Sequence, residues 1–361
     1  MTRTAKAFAP GRINLIGEHV DYNGGTVLPA PLAIGVTAEL SARSDTMIAI
    51  ASDGYDALDV RHLGDEAAGG WSDPVVGALR AARELGLIES GANVDITALL
   101  PQGAGLSSSA ALIIAVLRAA RALAPERAAA QVSDLDLAIA ARQVENNFMG
   151  VPCGIMDQMA VALGQPGYAM ALDTATLGYR MVPLPQTHDF VAIHSGLTRQ
   201  LADGRYGARK AECDAAKRYF ATENLCALDP AVIASAQLAE APRKRALHCV
   251  NEQARTLDAI AALETGDIAR LGARMDESHA SLRDLFEVSL EPIDALVESA
   301  REHGAIGARL TGGGFGGCVV ACVESGHRAD WLSRLLRDHP DARFIAAIGG
   351  QNKPGQKKPG L

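Results

Sequence analysis

The chain has 361 residues, 48% hydrophobic and 21% charged, with a formal net charge of −8. At about 150 residues per domain this predicts one large or two ordinary domains with ample core, and the missing basic footprint excludes generic nucleic-acid binding. Met1–Lys6 runs into Ala-Phe-Ala-Pro without a signal-like apolar region, and no stretch approaches the roughly 18 uncharged apolar residues of a membrane span, so a cytoplasmic protein is expected.

The first hundred residues are rich in Val, Ile, Thr and Gly, and the runs 27–29, 35–40, 47–51 and 93–99 read as strands separated by turns. A turn of glycine and serine follows at 103–109. It leads into an Ala/Leu/Ile-rich helix over 107–123 with no Pro or Gly. A second helix is expected over 134–148 and a third from 155–157 to about residue 163. Strands are expected at 168–172 and 190–194, then long helices at 208–220, 242–263 and 268–281. Ile293, Leu296, Val297 and Ala300 recur at i, i+3, i+4 and i+7, a helical signal over 291–303. Gly312–Gly317 precedes a strand at 318–323, and a helix at 330–336 and a strand at 343–348 close the pattern.

Strand-rich, then helix-rich, then strand–helix–strand is an α+β order of two lobes with a boundary near 165–185. Regular βαβ alternation is missing, against a Rossmann fold. The tail 350–361, rich in Gly, Pro, Lys and Gln, is expected to be disordered. The six cysteines (153, 213, 226, 249, 318 and 322) form no CxxC pair, so reduced, mostly buried thiols are expected rather than zinc.

Two segments concentrate chemistry. Gly103-Ala104-Gly105-Leu106-Ser107-Ser108-Ser109 lies between a strand and a helix. Glycines let the backbone approach an anion, a helix N-terminus offers free N–H groups, and serines add donors or a magnesium ligand. The Walker ending and the dinucleotide glycine spacing are both absent; an ordinary serine-capped helix after a glycine turn is the alternative. Residues 10–25, Pro-Gly-Arg-Ile-Asn-Leu-Ile-Gly-Glu-His-Val-Asp-Tyr-Asn-Gly-Gly, gather carboxylates, amides and an imidazole of the kind that reads a polyol. A polar loop of capping residues is the alternative there.

Residues 10–25 closely resemble the galactokinase signature, and the two glycine-rich segments resemble the second and third motifs of the wider GHMP kinase superfamily. The resemblance covers about residues 5–349. It continues in Gly-Val-Pro-Cys-Gly-Ile-Met-Asp-Gln at 150–158, Tyr-Gly-Ala-Arg-Lys-Ala-Glu-Cys at 206–213, Glu-Ser-His-Ala-Ser-Leu-Arg-Asp at 277–284, and Leu310–Cys318. It implies an N-terminal ribosomal-protein-S5-domain-2-like lobe (1–180), a C-terminal α/β-sandwich lobe (181–350), a tail (351–361) and an active site in the cleft between the lobes. It implies ATP-dependent phosphorylation of the anomeric hydroxyl of galactose, with ATP and Mg2+, by a monomer or weak homodimer with no nucleic-acid or membrane partner.

The roles implied by the resemblance fall on named positions. Asp157 would lie beside the anomeric hydroxyl, as the base that accepts its proton or as an electrostatic and positioning group, and Arg12 would pair with Asp157 and neutralise charge on the transferring phosphoryl. Glu18, His19, Asp21, Gly154, Asp157 and Tyr206 would contact the sugar. Gly103, Ala104, Gly105, Leu106, Ser107, Ser108 and Ser109 would cradle the nucleotide phosphates, and Trp71 would stack on the adenine. Ser109 and Glu145 would hold the metal, with Ser108 as an alternative to Ser109. Each has a bland counterpart: a helix cap for Asp157, an ion pair for Arg12, a solvent-facing Glu145, a core Trp71.

Four stretches depart from the family pattern. Ser72-Asp73-Pro74-Val75-Val76 stands where relatives carry an aromatic and a Lys, 199–205 is variant, Phe286 replaces a Tyr, and Leu290-Glu291-Pro292-Ile293-Asp294 replaces a more polar run. A related sugar (N-acetylgalactosamine, arabinose or galacturonate) is the nearest rival substrate. A catalytically silent galactose sensor is the rival from another class; the intact Ser109-Ala110 and Asp157 argue against it.

Overall fold

The computed structural model describes residues 3–101, 103–197 and 204–349. Most of the variant stretch at 199–205 and the tail from 350 onward lie outside them. The described residues form two compact units that share the sequence in alternation. One takes residues up to 12, 33–101 and 106–164; the other takes 13–32, 103–105 and everything from 165 onward.

The first unit is built on a five-stranded sheet. Its strands are β1 (Thr4–Asn14), β3 (Pro29–Ala42), β4 (Met47–Ser52), β5 (Tyr55–His62) and β6 (Ala92–Ala98), in the order β1-β3-β6-β4-β5; β2 belongs to the second unit. β3 runs antiparallel to β6, and β4 runs parallel to it. Ile48 and Ile50 on β4, and Val94 and Ile96 on β6, fall on alternate positions and are buried, so the period of two marks the core face.

The helices of this unit are α1 (Asp73–Glu84), α2 (Ser108–Leu123), the short α3 (Glu126–Ala129), α4 (Asp134–Gln143) and α5 (Met156–Leu163). α2 is buried on nearly every side, with Ile113, Ile114, Val116 and Leu117 fully enclosed. Its many alanines let α1, α4 and α5 pack close to it. The helix expected to run unbroken to residue 148 changes character: α4 ends at Gln143 and Val144–Phe148 forms a π-helical turn.

The second unit holds two sheets. A four-stranded antiparallel sheet, in the order β10-β11-β9-β12, is made of β9 (His188–His194), β10 (Gly307–Thr311), β11 (Cys318–Glu324) and β12 (Arg343–Gly349). The three-stranded sheet pairs β2 (Thr26–Val27) with β7 (Tyr168–Asp173) and β7 with β8 (Tyr179–Pro183). The helices are α6 (Arg205–Phe220), α7 (Pro230–Ser235), α8 (Glu240–Thr265), α9 (Ile268–Asp284), α10 (Glu291–Glu302) and α11 (Arg328–Asp338). α8 spans roughly 39 Å at 1.5 Å per residue and ends on Gly266 with a positive φ, a common C-terminal stop. It packs against α6, α7, α9, β2 and β8. Its buried face carries Arg245, His248, Glu252 and Thr256 among apolar residues, a polar stripe that needs partners inside the fold.

Several elements were not expected from the sequence. Pro10 and Gly11 lie inside β1, whose second half is buried. β5, α1, α3, β8, α7 and β10 also emerge only here. Five of the six cysteines are buried and Cys153 is half-buried. Among the described residues no helix is long and apolar enough to cross a membrane, and no cluster of His, Cys, Asp and Glu has metal-holding geometry by itself.

Candidate active site

The glycine–serine loop leads into the N-terminus of α2, a helix buried on nearly every side. Gly103 and Gly105 take positive φ values of 68° and 73°, and Ser107 sits in the left-handed region at 62°. That conformation costs a non-glycine residue energy and is a feature of functional turns. Ser107 therefore precedes α2 instead of opening it, and makes no side-chain cap. Its hydroxyl is buried without a hydrogen-bond partner among the described residues. A buried polar atom left short is an acceptor or donor waiting for a ligand.

β1 lies against this loop. The Arg12 N–H donates to the Leu106 carbonyl at 3.2 Å. The Arg12 side chain is 4% exposed and donates from Nε (2.9 Å) and Nη2 (2.5 Å) to Oδ1 of Asp157, in the first turn of α5. The Asp157 side chain remains 34% exposed. The expected Arg12–Asp157 pair is thus formed, across 145 positions of sequence.

Glu145 lies in the π-helical turn and is buried. Burial pushes its carboxyl pKa up; the neighbouring Ser109 hydroxyl and the hydrogen bond from Gln158 pull it down, nearby Asp157 pushes it up and Arg12 pulls it down. The solvent-facing alternative for Glu145 is therefore not what the fold adopts. A buried carboxylate beside a serine hydroxyl at a helix N-terminus is an oxygen donor set of the kind a hydrated magnesium ion takes, and the orphaned Ser107 hydroxyl nearby in sequence fits a phosphate. Gly154 is buried just ahead of α5.

Trp71 is half-buried, and one face of its indole stacks on Tyr55, with centroids 4.2 Å apart and planes 11° apart. The variant run after it has a structural role. Asp73 opens α1, with Pro74 in its first turn. The Asp73 carboxylate accepts from the backbone N–H groups of Ala68, Gly69 and Gly70, and from Arg61. Those bonds outweigh burial and lower its pKa.

In the second unit the segment 15–25 is almost wholly enclosed. Glu18 is its hub. Its Oε1 accepts from Gly312 N–H (2.6 Å) and Thr311 Oγ1 (3.1 Å); its Oε2 accepts from Asn14 Nδ2 and pairs with Arg309 at 2.8 Å. Arg309 is itself fully buried on β10 and also reaches the Asn14 carbonyl. From α8, Glu252 accepts from the Gly17 N–H at 3.0 Å, and His248 Nε2 lies 3.1 Å from the Glu18 carbonyl.

His19, with φ of 63°, stacks on Phe286 (4.3 Å, 22°), and its Nδ1 lies 2.8 Å from the Tyr22 hydroxyl. Tyr206, near the start of α6, lies 5.8 Å from the His19 ring. Asp21 is half-buried in the same turn and helps to raise the Tyr22 pKa, after burial, Cys213 and Tyr206. The fold thus brings Glu18, His19, Asp21 and Tyr206 into one aromatic-walled, carboxylate-bearing region. Phe286 supplies the stacking face for His19.

The glycine run 312–317 contributes close approach. Gly312 has φ of 84°, and a Cβ there would lie 3.0 Å from the Gly105 carbonyl oxygen of the glycine–serine loop. Sequence reasoning missed Asn14, His248, Glu252, Arg309, Thr311 and the Glu145-binding Gln158. The available signal was a charged Arg309 in an otherwise apolar strand and polar residues on the inner stripe of α8.

The family described as "Galactokinase galactose-binding signature" matches residues 2–42, "GHMP kinases N terminal domain" matches 73–165 and "GHMP kinases C terminal" matches 259–340. The chain is 35% identical over 367 aligned positions to a galactokinase of Clostridium perfringens, covering 96% of this chain and 94% of that protein. It resembles the crystal structure of Lactococcus lactis galactokinase complexed with galactose, with a TM-score of 0.89, 32% identity and coverage of 96% and 94%. The Methanococcus jannaschii mevalonate kinase shares the fold at a TM-score of 0.72 and 16% identity, covering 97% and 98%.

Proposed function

Given that the chain belongs to the galactokinase family of GHMP kinases, we infer that it transfers the γ-phosphoryl group of ATP to the anomeric hydroxyl of galactose through Asp157 and Arg12, giving galactose 1-phosphate and ADP. The observation that carries the residue assignment is the Arg12–Asp157 pair, held by backbone contact to the phosphate loop with Asp157 part-exposed.

Both hydrogen bonds from Arg12 to Asp157 end on Oδ1. Asp157 Oδ2 is then the oxygen that takes the proton from the anomeric hydroxyl as that oxygen attacks phosphorus. Arg12 keeps the carboxylate oriented and offsets negative charge on the transferring group. Loop N–H groups at 103–109 and the Ser107 hydroxyl bind phosphate oxygens at the start of α2, where the helix dipole favours an anion. Ser109 and Glu145 would hold Mg2+, which when bound neutralises phosphate charge and draws electrons from the bond to the leaving group. Trp71 offers the indole face opposite Tyr55 to the adenine.

Sugar recognition falls to Glu18, His19, Asp21, Gly154 and Tyr206. Asp21, the carboxylate not locked in the Glu18 hub, accepts from adjacent ring hydroxyls and so reads the axial one that distinguishes galactose. His19 and Tyr206 present ring faces to the apolar side of the sugar. Preorganisation by the Glu18 hub lowers the entropy cost of orienting the substrate.

Incubation with MgATP and a panel of galactose, N-acetylgalactosamine, arabinose, galacturonate and glucose, with ADP release as the readout, tests the assignment. Galactose is expected to give the largest kcat/KM. ADP release with galactose no greater than the no-sugar blank overturns it.

A further inference from the structure

Gln158 follows Asp157 in α5 and is completely buried, yet phosphoryl transfer as derived above gives it no role. Its Nε2 donates a short hydrogen bond to Oε2 of Glu145 and lies 3.5 Å from Sγ of Cys153. Cys153 is in turn held by Asn146, whose Oδ1 accepts from the Cys153 N–H at 2.8 Å. The Gln158 Oε1 is buried and has no hydrogen-bond partner among the described residues.

The orientation of this amide is dictated chemically. Turned over, its carbonyl would face a carboxylate, acceptor against acceptor, so the N–H side belongs to Glu145. That leaves an amide oxygen enclosed and unsatisfied, which folded proteins rarely tolerate unless something arrives to meet it. The π-helical turn at Val144–Phe148 places Glu145 in reach of α5, and such turns recur at functional sites.

The geometry points to Gln158 as a positioning residue for the metal carboxylate. Its N–H engages Oε2 of Glu145, so that the other oxygen is presented to the divalent cation, and its own Oε1 accepts from a water that the cation carries. This rests on the reading of Glu145 as a metal ligand. Groups that orient a metal-binding carboxylate influence affinity by about 10- to 100-fold when removed. A residue that merely fills the core would instead change stability and leave the metal response alone.

The test uses the full-length enzyme and Gln158→Met, which keeps the volume and removes the amide. The readouts are the Mg2+ concentration for half-maximal activity and, separately, the ADP affinity by calorimetry with and without Mg2+. We expect the Mg2+ requirement to rise about 10-fold and the Mg2+-dependent gain in ADP affinity to shrink by a similar factor. The galactose KM and the metal-free ADP affinity stay within about twofold. Unchanged Mg2+ responses overturn the inference, even if the thermal midpoint falls.

Should Gln158→Met fail to fold, Gln158→Glu keeps the side chain's shape but sets acceptor against acceptor. The same loss of the Mg2+-dependent increment is expected, and its retention is equally fatal. Glu145→Gln separates the two readings. If it removes the Mg2+-dependent ADP binding while Gln158→Met does not, this inference fails alone; if neither changes it, the metal assignment of Glu145 fails as well.

Discussion

The carboxylates of the two clusters are built in opposite ways. Glu18 has both oxygens occupied by Asn14, Arg309, Thr311 and Gly312, so its charge is answered inside the fold. Glu145 is buried with its pKa pushed up by that burial, and among the described residues the Ser107 hydroxyl and the Gln158 carbonyl oxygen lack hydrogen-bond partners. Asp157 keeps a third of its side chain exposed. The Glu18 carboxylate is answered before any substrate arrives, whereas the Ser107 hydroxyl and the Gln158 carbonyl oxygen are left for a ligand to complete.

The sharpest break of that contrast is Asp157→Ala. Turnover is expected to fall about 10³-fold, the scale of a lost general base, with the thermal unfolding midpoint within a few degrees of the parent. A variant that keeps a tenth of the parent ADP release would strip Asp157 of its role.

Next in size is Arg309→Met, on the satisfied side. It leaves Glu18 buried without its counter-charge, which costs about 3–5 kcal/mol when one partner of a buried pair is removed. Denaturant unfolding measures this, and the galactose KM should rise with it. Unchanged stability would mean that the Glu18 hub is not held by charge.

Acidification probes the same side more gently. Burial depresses the His248 pKa to about 4, against an ordinary 6.5. The unfolded chain therefore takes up the proton first, and the contribution of His248 is complete above pH 6.5 and lost as pH falls toward 4. Burial would raise Glu252, but Arg255, His248 and Arg309 overcome it and hold the carboxyl at about 2. Its contribution is present above pH 4.5 and drains away below that. Between pH 6.5 and 4.5 the His248 share alone is on the order of 2 kcal/mol at 1.4 kcal/mol per pKa unit. Thermal midpoints across this range should fall on acidification, and a His248→Gln variant should flatten the slope. A flat parent profile contradicts the assignment.

The smallest effect is expected at Ser107→Ala. Removing a hydroxyl that has no partner should leave stability unchanged or slightly higher, while the KM for ATP rises about 10-fold and the galactose KM stays put, the scale of one hydrogen bond to a charged group. Lost stability with an unchanged ATP KM would place that serine among the satisfied groups.

Much of this was legible in the chain. The periodic run at Ile293, Leu296, Val297 and Ala300 is buried on α10 as its spacing required. The strands at 47–51 and 93–99 and the long helices fell within a few residues of their positions. The loop at 103–109 lay before a helix, and Arg12 met Asp157. Less legible was anything that depends on a non-local partner. β1, with Pro10 and Gly11 inside it, went unread because its place beside β3 is supplied only by the folded sheet. α1 was hidden because Asp73-Pro74 looked like a broken nucleotide motif, whereas Asp73 ties down the loop at 68–70.

The sequence by itself determined the chemistry that residue types and short spacings carry: the glycine–serine turn, the polyol-reading segment at 10–25, the Asp in its Cys-Gly-Ile-Met-Asp setting, and the family they resemble. The tertiary structure decided which of those groups are satisfied and which are left in deficit. It turned Ser107 into the left-handed region, and a π turn put Glu145 beside Gln158. Arg309 was brought across 291 positions onto Glu18. The reason is physical: a hydrogen-bond partner or a buried counter-charge is set by where distant segments pack, and one stretch of chain holds no record of what will cover it.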